Sequence, residues 1–222
     1  MEQDDTFVKE DEKFVETVEI GDKVVSKKEG TFRDLVEFEK KERPPLKAPL
    51  PSSKADEIIK IAKFTWDIIK DSKAEAATES ACSRILSVKD DNWQNYAEAV
   101  DFASKNETTY KLNNFAGVNC YTVKFKVAGT CRAKNPNLGG LWIPNVHITF
   151  FQCDANWPWI INGKANIDGT YVSNIGTVDE PIPQVVLNVK VVTKAKFIFG
   201  WESHEKTFEF TLNARDGVKE VS

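Results

Sequence analysis

Alternation of apolar and polar side chains dominates this sequence, and it is strongest after Asn114. From Val118 to Val127, Tyr121, Val123, Phe125 and Val127 share one side, while Thr122, Lys124 and Lys126 share the other. Successive side chains of a strand point to opposite faces, so this stretch predicts a strand with one buried and one wet face. Trp142 to Gln152 repeats the pattern, with Val146, Ile148 and Phe150 against Asn145, His147 and Thr149. Further strands are predicted over Trp159–Ile167, from near Thr170, over Val185–Val191, at Phe197–Trp201 and over Thr207–Leu212. Loop or turn residues intervene at Asn135–Gly140, Asn166–Thr170 and Pro181–Pro183, and Glu202–Glu205 reads as a loop. No crossover helix separates the strands clearly, so they are expected to pair antiparallel. The fold class is mainly β: an antiparallel β-sandwich of six to seven strands or more, with a charged N-terminal arm and one short helix.

The part before Asn114 is less regular. Residues 54–60 predict a short helix or turn that runs into a strand at about 62–70. Ala62, Phe64, Trp66 and Ile68 would then lie on one face. A helix throughout is the alternative, because Ile58, Ile61, Ala62, Thr65 and Ile69 also form a helical stripe. Residues 74–90, rich in Ala, Ser and Thr, read as a helix or a long excursion. Nearer the N-terminus, Phe14, Val18 and Ile20 fit one face of a short strand, with Gly21-Asp22 as a turn before Val24-Val25. Phe32, Leu35, Val36 and Glu39 are spaced for an amphipathic helix over 31–42, and the prolines at 44, 45, 49 and 51 then make 43–53 a linker.

Charge divides the chain. Of the first 50 residues 24 are charged, against 40 of the other 172, and every Trp, Tyr and Cys lies after residue 50. The expected organisation is a charged arm and Pro-rich linker over 1–52 and a β-sandwich domain over 53–222. The arm is either a solvated tail or a segment that docks its Phe residues on the main domain or on a second copy.

Charge also narrows function. With 30 basic and 34 acidic residues the net charge is −4, so no nucleic-acid partner is expected. No apolar run approaches the roughly 18 residues that span a bilayer. Met1-Glu2-Gln3-Asp4-Asp5 has neither the basic flank nor the apolar stretch of a secretory signal. The expected setting is cytoplasmic, or release without a signal peptide, and the sequon at Asn106 is then silent.

Catalytic and metal signals are weak. Cys82, Cys120, Cys131 and Cys153 form no C-x-x-C pair and read as reduced core residues. Cys120 and Cys131 are eleven strand residues apart, at about 3.3 Å each, too far to bond. Bridges from Cys153 to Cys82 or to Cys131 stay open. The two His, His147 and His204, cannot hold a metal by themselves. Asp90-Asp91-Asn92 lacks EF-hand spacing and reads as a solvated turn. No nucleophile elbow, P-loop or dinucleotide fingerprint occurs, so neither a metal, a cofactor nor an enzymatic activity is expected.

The aromatic residues are the most suggestive feature. Trp142 follows Gly139-Gly140, Trp93 lies among Asn and Gln residues, and Trp157-Pro158-Trp159 follows Asp154-Ala155-Asn156. Such Trp residues either plug the ends of a sandwich or stack on a ligand. The expected ligand-binding set is Trp142, Trp157 and Trp159, with Asn156 and Asp154 as polar partners. The expected function is non-catalytic binding or assembly, recognising a glycan or a protein partner, including a second copy as a homo-oligomer. A membrane partner is not expected from so acidic a chain. The competing reading is a membrane-active, cytolysin-like protein that inserts the amphipathic segment near 58–69.

Overall fold

The structure is a computed structural model that describes residues 7–42, 55–75 and 81–220. The linker predicted at 43–53 lies outside these residues. In chain order the elements are β1 (Lys13–Ile20), β2 (Lys23–Thr31), α1 (Phe32–Glu42), α2 (Ala55–Ile58), β3 (Ile59–Ala62), β4 (Thr65–Lys70) and β5 (Lys73–Ala74). There follow β6 (Ser83–Ser87), β7 (Val100–Ala103), β8 (Thr108–Asn114), β9 (Asn119–Cys131) and β10 (Ala133–Asn135). Five strands complete the chain: β11 (Leu138–Ala155), β12 (Trp159–Asn174), β13 (Pro183–Phe197), β14 (Gly200–Asn213) and β15 (Gly217–Glu220).

They form two antiparallel sheets. One has nine strands, ordered β2-β1-β8-β9-β11-β6-β3, with β10 on β11 and β7 on β9. The other has six, ordered β15-β14-β13-β12-β4-β5. The alternation read from the sequence fixes their inner faces. Tyr121, Val123, Phe125 and Val127 of β9 are fully buried, as are Val185, Leu187 and Val189 of β13. Phe125 stands edge-on to Phe208 and Phe210 of β14, at 5.5 and 6.1 Å between ring centres. This is sandwich packing, in which inner-face side chains of two sheets interdigitate.

The charged arm is built into this core. β1 pairs with β8 from Phe14↔Asn114 to Ile20↔Thr108, and Gly21 makes the predicted turn to β2 with φ +60°. Phe14, Phe32 and Leu35 are buried. A reciprocal cap starts α1: Asp34 accepts from the Thr31 backbone N–H at 2.9 Å, and Thr31 Oγ1 accepts from the Asp34 N–H at 3.3 Å. These bonds favour the charged form, so the Asp34 carboxyl is held below its usual range.

Three sequence readings change. The strand expected at about 62–70 begins only at Thr65, and a separate short strand, β3, precedes it at Ile59–Ala62. Lys63, at φ +63°, breaks the run; β3 joins the larger sheet and β4 the smaller. Trp66, Ile68 and Ile69 are buried core, so the segment near 58–69 is not a free amphipathic helix. Asn166–Thr170 is not a turn, because Asn166 and Asp168 stay in register with Asn188 and Val186; the turn residues instead precede an irregularity between Asp168 and Ser173. Phe197–Trp201 is not a strand but the tip of the β13–β14 hairpin, where Phe197 pairs with Gly200.

Candidate functional site

One end of the sandwich gathers three turns with exposed apolar side chains. The β8–β9 turn carries Phe115 and Val118, the β11–β12 turn Trp157, and the β13–β14 turn Ile198 and Phe199, with Trp201 beside it. Backbone bonds tie the middle turn to both sheets. Asn156 N–H donates to Cys120 O at 2.9 Å, and Lys196 N–H donates to Pro158 O at 3.2 Å. Trp157 and Trp201 meet edge to face, 5.9 Å between centres, and Lys196 Nζ lies 5.4 Å from the Trp157 ring. Phe199 is 91% exposed and Ile198 70%.

The ligand set expected from the sequence is divided by the fold. Trp157 is at this end and half-exposed. Trp159, two residues on, points the other way and is buried against Phe14, Phe32 and Tyr121, with ring centres 5.4–5.8 Å away. Trp142 plugs the far end of β11; it is buried, its Nε1–H donates to Gly139 O at 3.2 Å, and its ring packs on Tyr96. Neither Trp142 nor Trp159 offers a stacking face. Trp93 is exposed and lies under Arg84. The polar partners are engaged within the fold: Asn156 Nδ2 donates to Asn119 O at 2.9 Å, and Asp154 accepts from Gln152 Nε2 at 2.6 Å.

Sequence reading missed a second constellation. Under α1, charged side chains from four elements converge. Glu16 of β1 and His204 of β14 are buried; Lys206 of β14 lies 3.9 Å from Glu16 and 2.8 Å from Glu39 of α1. Lys28 of β2 lies 3.6 Å from Glu39. Tyr121 O–H donates to Tyr110 Oη at 2.8 Å, and Tyr110 O–H donates to Glu16 Oε2 at 3.0 Å. Two carboxylates and two ammonium groups balance in charge. Burial pushes Glu16 above the usual carboxylate range and Tyr110 well above the usual phenol range. Burial pulls His204 down to about 4, so it is neutral at pH 7.

The signal for this cluster lies in the sequence: Glu16 occupies the inward face between Phe14 and Val18, and Glu39 lies on the apolar stripe of α1. His204 is not in a loop but mid-strand, opposite Thr193. Its Nδ1 is 3.4 Å from Glu16 Oε2, and among the described residues neither ring nitrogen has a hydrogen-bond partner. A hollow of about 280 Å³ beside it is lined by Val36, Glu39, Lys40, Ser203, His204 and Glu205.

The remaining candidates are structural. All four cysteines are free, and burial raises Cys120 to about 12 and Cys153 to about 11, which leaves both as unreactive thiols. Asp90 accepts from Asn95 and Asn135 side chains at 2.9 and 2.8 Å and so orders its own turn. His147 Nδ1 lies 3.3 Å from the Asn145 amide. Among the described residues no group of three His, Cys, Asp or Glu side chains is arranged to hold a metal, and no helix is long and apolar enough to cross a membrane.

Comparison with protein-family models, with curated proteins and with solved structures returned no match.

Proposed function

We propose that this protein is a non-catalytic binding module that engages its partner through the Trp157–Trp201 end. The observation that carries this reading is the β13–β14 turn. A two-residue hairpin turn ordinarily takes Gly, Asn or Asp, which tolerate its backbone and face water. Here Ile198 and Phe199 fill it and are among the most exposed apolar side chains of the described residues. Exposed apolar clusters on a folded surface mark contact sites. A stacked glycan is the less favoured partner, because Trp142 and Trp159 are buried and Asn156 and Asp154 each already hold a hydrogen bond to a neighbouring group. The test is a glycan array and a cross-linking capture run with the native chain and with Trp157→Ala/Trp201→Ala. Loss of every specific signal in the variant supports the reading. Signals that persist undiminished move recognition elsewhere, first to the cleft of about 480 Å³ at the other end, lined in part by Glu98, Lys134, Gly140 and Glu180.

A further inference from the structure

We infer that the partner met by this end is a lipid surface: the tip of the β13–β14 hairpin inserts shallowly into a bilayer interface. The inference rests on the binding-end reading above and names the partner's class. Three observations carry it. First, the apolar feature is convex. Ile198 and Phe199 form the turn itself, and a Cβ placed on Gly200, at φ +135°, meets nothing within 4 Å. Second, its area is small for a protein partner. An ordinary protein interface buries roughly 800 Å² on each side, more than Ile198, Phe199 and the two half-exposed indoles of the tip itself supply, with Phe115 and Val118 of the β8–β9 turn as the apolar groups beyond it. A bilayer needs no matching groove, and a few aromatic and aliphatic side chains suffice.

Third, the chemistry is layered as an interface requires. Phe199 and Ile198 stand outermost, and Trp157 and Trp201 lie behind them, where an amphipathic indole sits at headgroup depth. Lys194 and Lys196 follow on the outer face of β13; Lys194 is exposed, and Lys196 Nζ lies over the Phe7 and Trp157 rings at 4.7 and 5.4 Å. Acidic groups of the N-terminal arm lie close by, since the Val8 N–H donates to Lys196 O at 2.9 Å and Glu10 is 3.8 Å from Arg33; Lys194, Lys196 and Arg33 are the basic groups that offset them. The acidic Glu202 beside the tip is neutralised by Arg33 at 2.8 Å.

The experiment is co-sedimentation of the full chain with vesicles of phosphatidylcholine alone and of phosphatidylcholine mixed with phosphatidylserine. Native protein is expected in the pellet, more so with phosphatidylserine. Ile198→Ser/Phe199→Ser is expected to lower partitioning at least about tenfold on both vesicles. Lys194→Glu/Lys196→Glu is expected to lower it about tenfold on the mixed vesicles alone. Val24→Ser, an exposed apolar residue on β2, leaves it unchanged. Unchanged thermal unfolding shows that each variant folds. Native protein that stays in the supernatant with both vesicles overturns the inference. If light scattering then shows a dimer that Ile198→Ser/Phe199→Ser dissolves, the occupant is a second copy and the binding-end reading stands. If the glycan and capture signals also survive Trp157→Ala/Trp201→Ala, that reading falls too.

Discussion

Strand β14 joins two regions that invert the usual partition of side chains. At its start, Trp201 and the adjoining Ile198-Phe199 turn expose apolar groups to water. A few residues on, His204 and Lys206 face Glu16 and Glu39 beneath α1, and charged groups lie inside. The inversions differ in how they are compensated. Buried charges are costly unless each meets an opposite charge or a hydrogen bond. Glu16 has Lys206 and Tyr110, and Glu39 has Lys206 and Lys28. The exposed tip has no such compensation among the described residues. An internally balanced cluster reads as a joint that holds β1, β2 and α1 to the sheets, and an uncompensated apolar tip reads as a surface awaiting a partner.

The joint gives the larger effects. A chain that starts at Ser53 lacks β1, leaves β8 without its neighbour and uncovers Trp159; circular dichroism with denaturant titration is expected to show loss of the cooperative transition. Next is Lys206→Met, which strands Glu16 in the core and is expected to lose about 3–5 kcal/mol by denaturant titration. Glu16→Met/Lys206→Met together are expected to regain most of that loss, because an apolar pair replaces the buried ion pair. If the double variant is no better than the single, the cluster is not a balanced pair.

Paired tryptophans sharpen the contrast. Trp159→Ala empties a site between Phe14, Phe32 and Tyr121 and is expected to cost about 3–5 kcal/mol. Trp157→Ala loses an edge contact with Trp201 and the Lys196 contact over its ring, and is expected to cost about 1 kcal/mol, while it weakens partner binding.

The pH dependence is smaller than the losses at Lys206 and Trp159. His204 titrates at about 4 when folded, below its ordinary value of 6.5, so the unfolded chain binds the extra proton between these values. Stability from this group is complete above 6.5 and falls as pH drops towards 4, by about 2–3 kcal/mol. Glu16 acts in the opposite sense. Its folded pKa is raised, so protonation on acidification relieves the cost of burying its charge. Denaturant titration from pH 7 to 4 is expected to fall more steeply for Glu16→Gln than for the native chain, and to flatten for His204→Leu.

Much of the fold was legible. Alternation gave the inner faces of β9, β11 and β13, since a half-buried strand must repeat every two residues. The α1 stripe and its Thr31–Asp34 cap were equally local. The site was less legible. Asn and Asp marked Asn166–Asp168 as a turn, yet pairing with β13 holds it in β12. The run Glu202–Glu205 looked like a loop because its inward polar residue, His204, meets its neighbour far away in sequence, at Glu16.

The sequence by itself determined the strand character of most segments, their buried faces, the α1 helix and the concentration of charge near the N-terminus. These depend on side chains within a few residues of one another. Only the tertiary structure decided that the charged segment supplies an inner strand and that 59–70 is shared between two sheets. It alone set Trp157 outward and Trp159 inward, and it brought Glu16, Glu39, His204 and Lys206 together. Those outcomes depend on pairing between segments distant in sequence, such as β1 with β8 and β3 with β6, where burial and charge pairing select among arrangements that local propensity leaves equal.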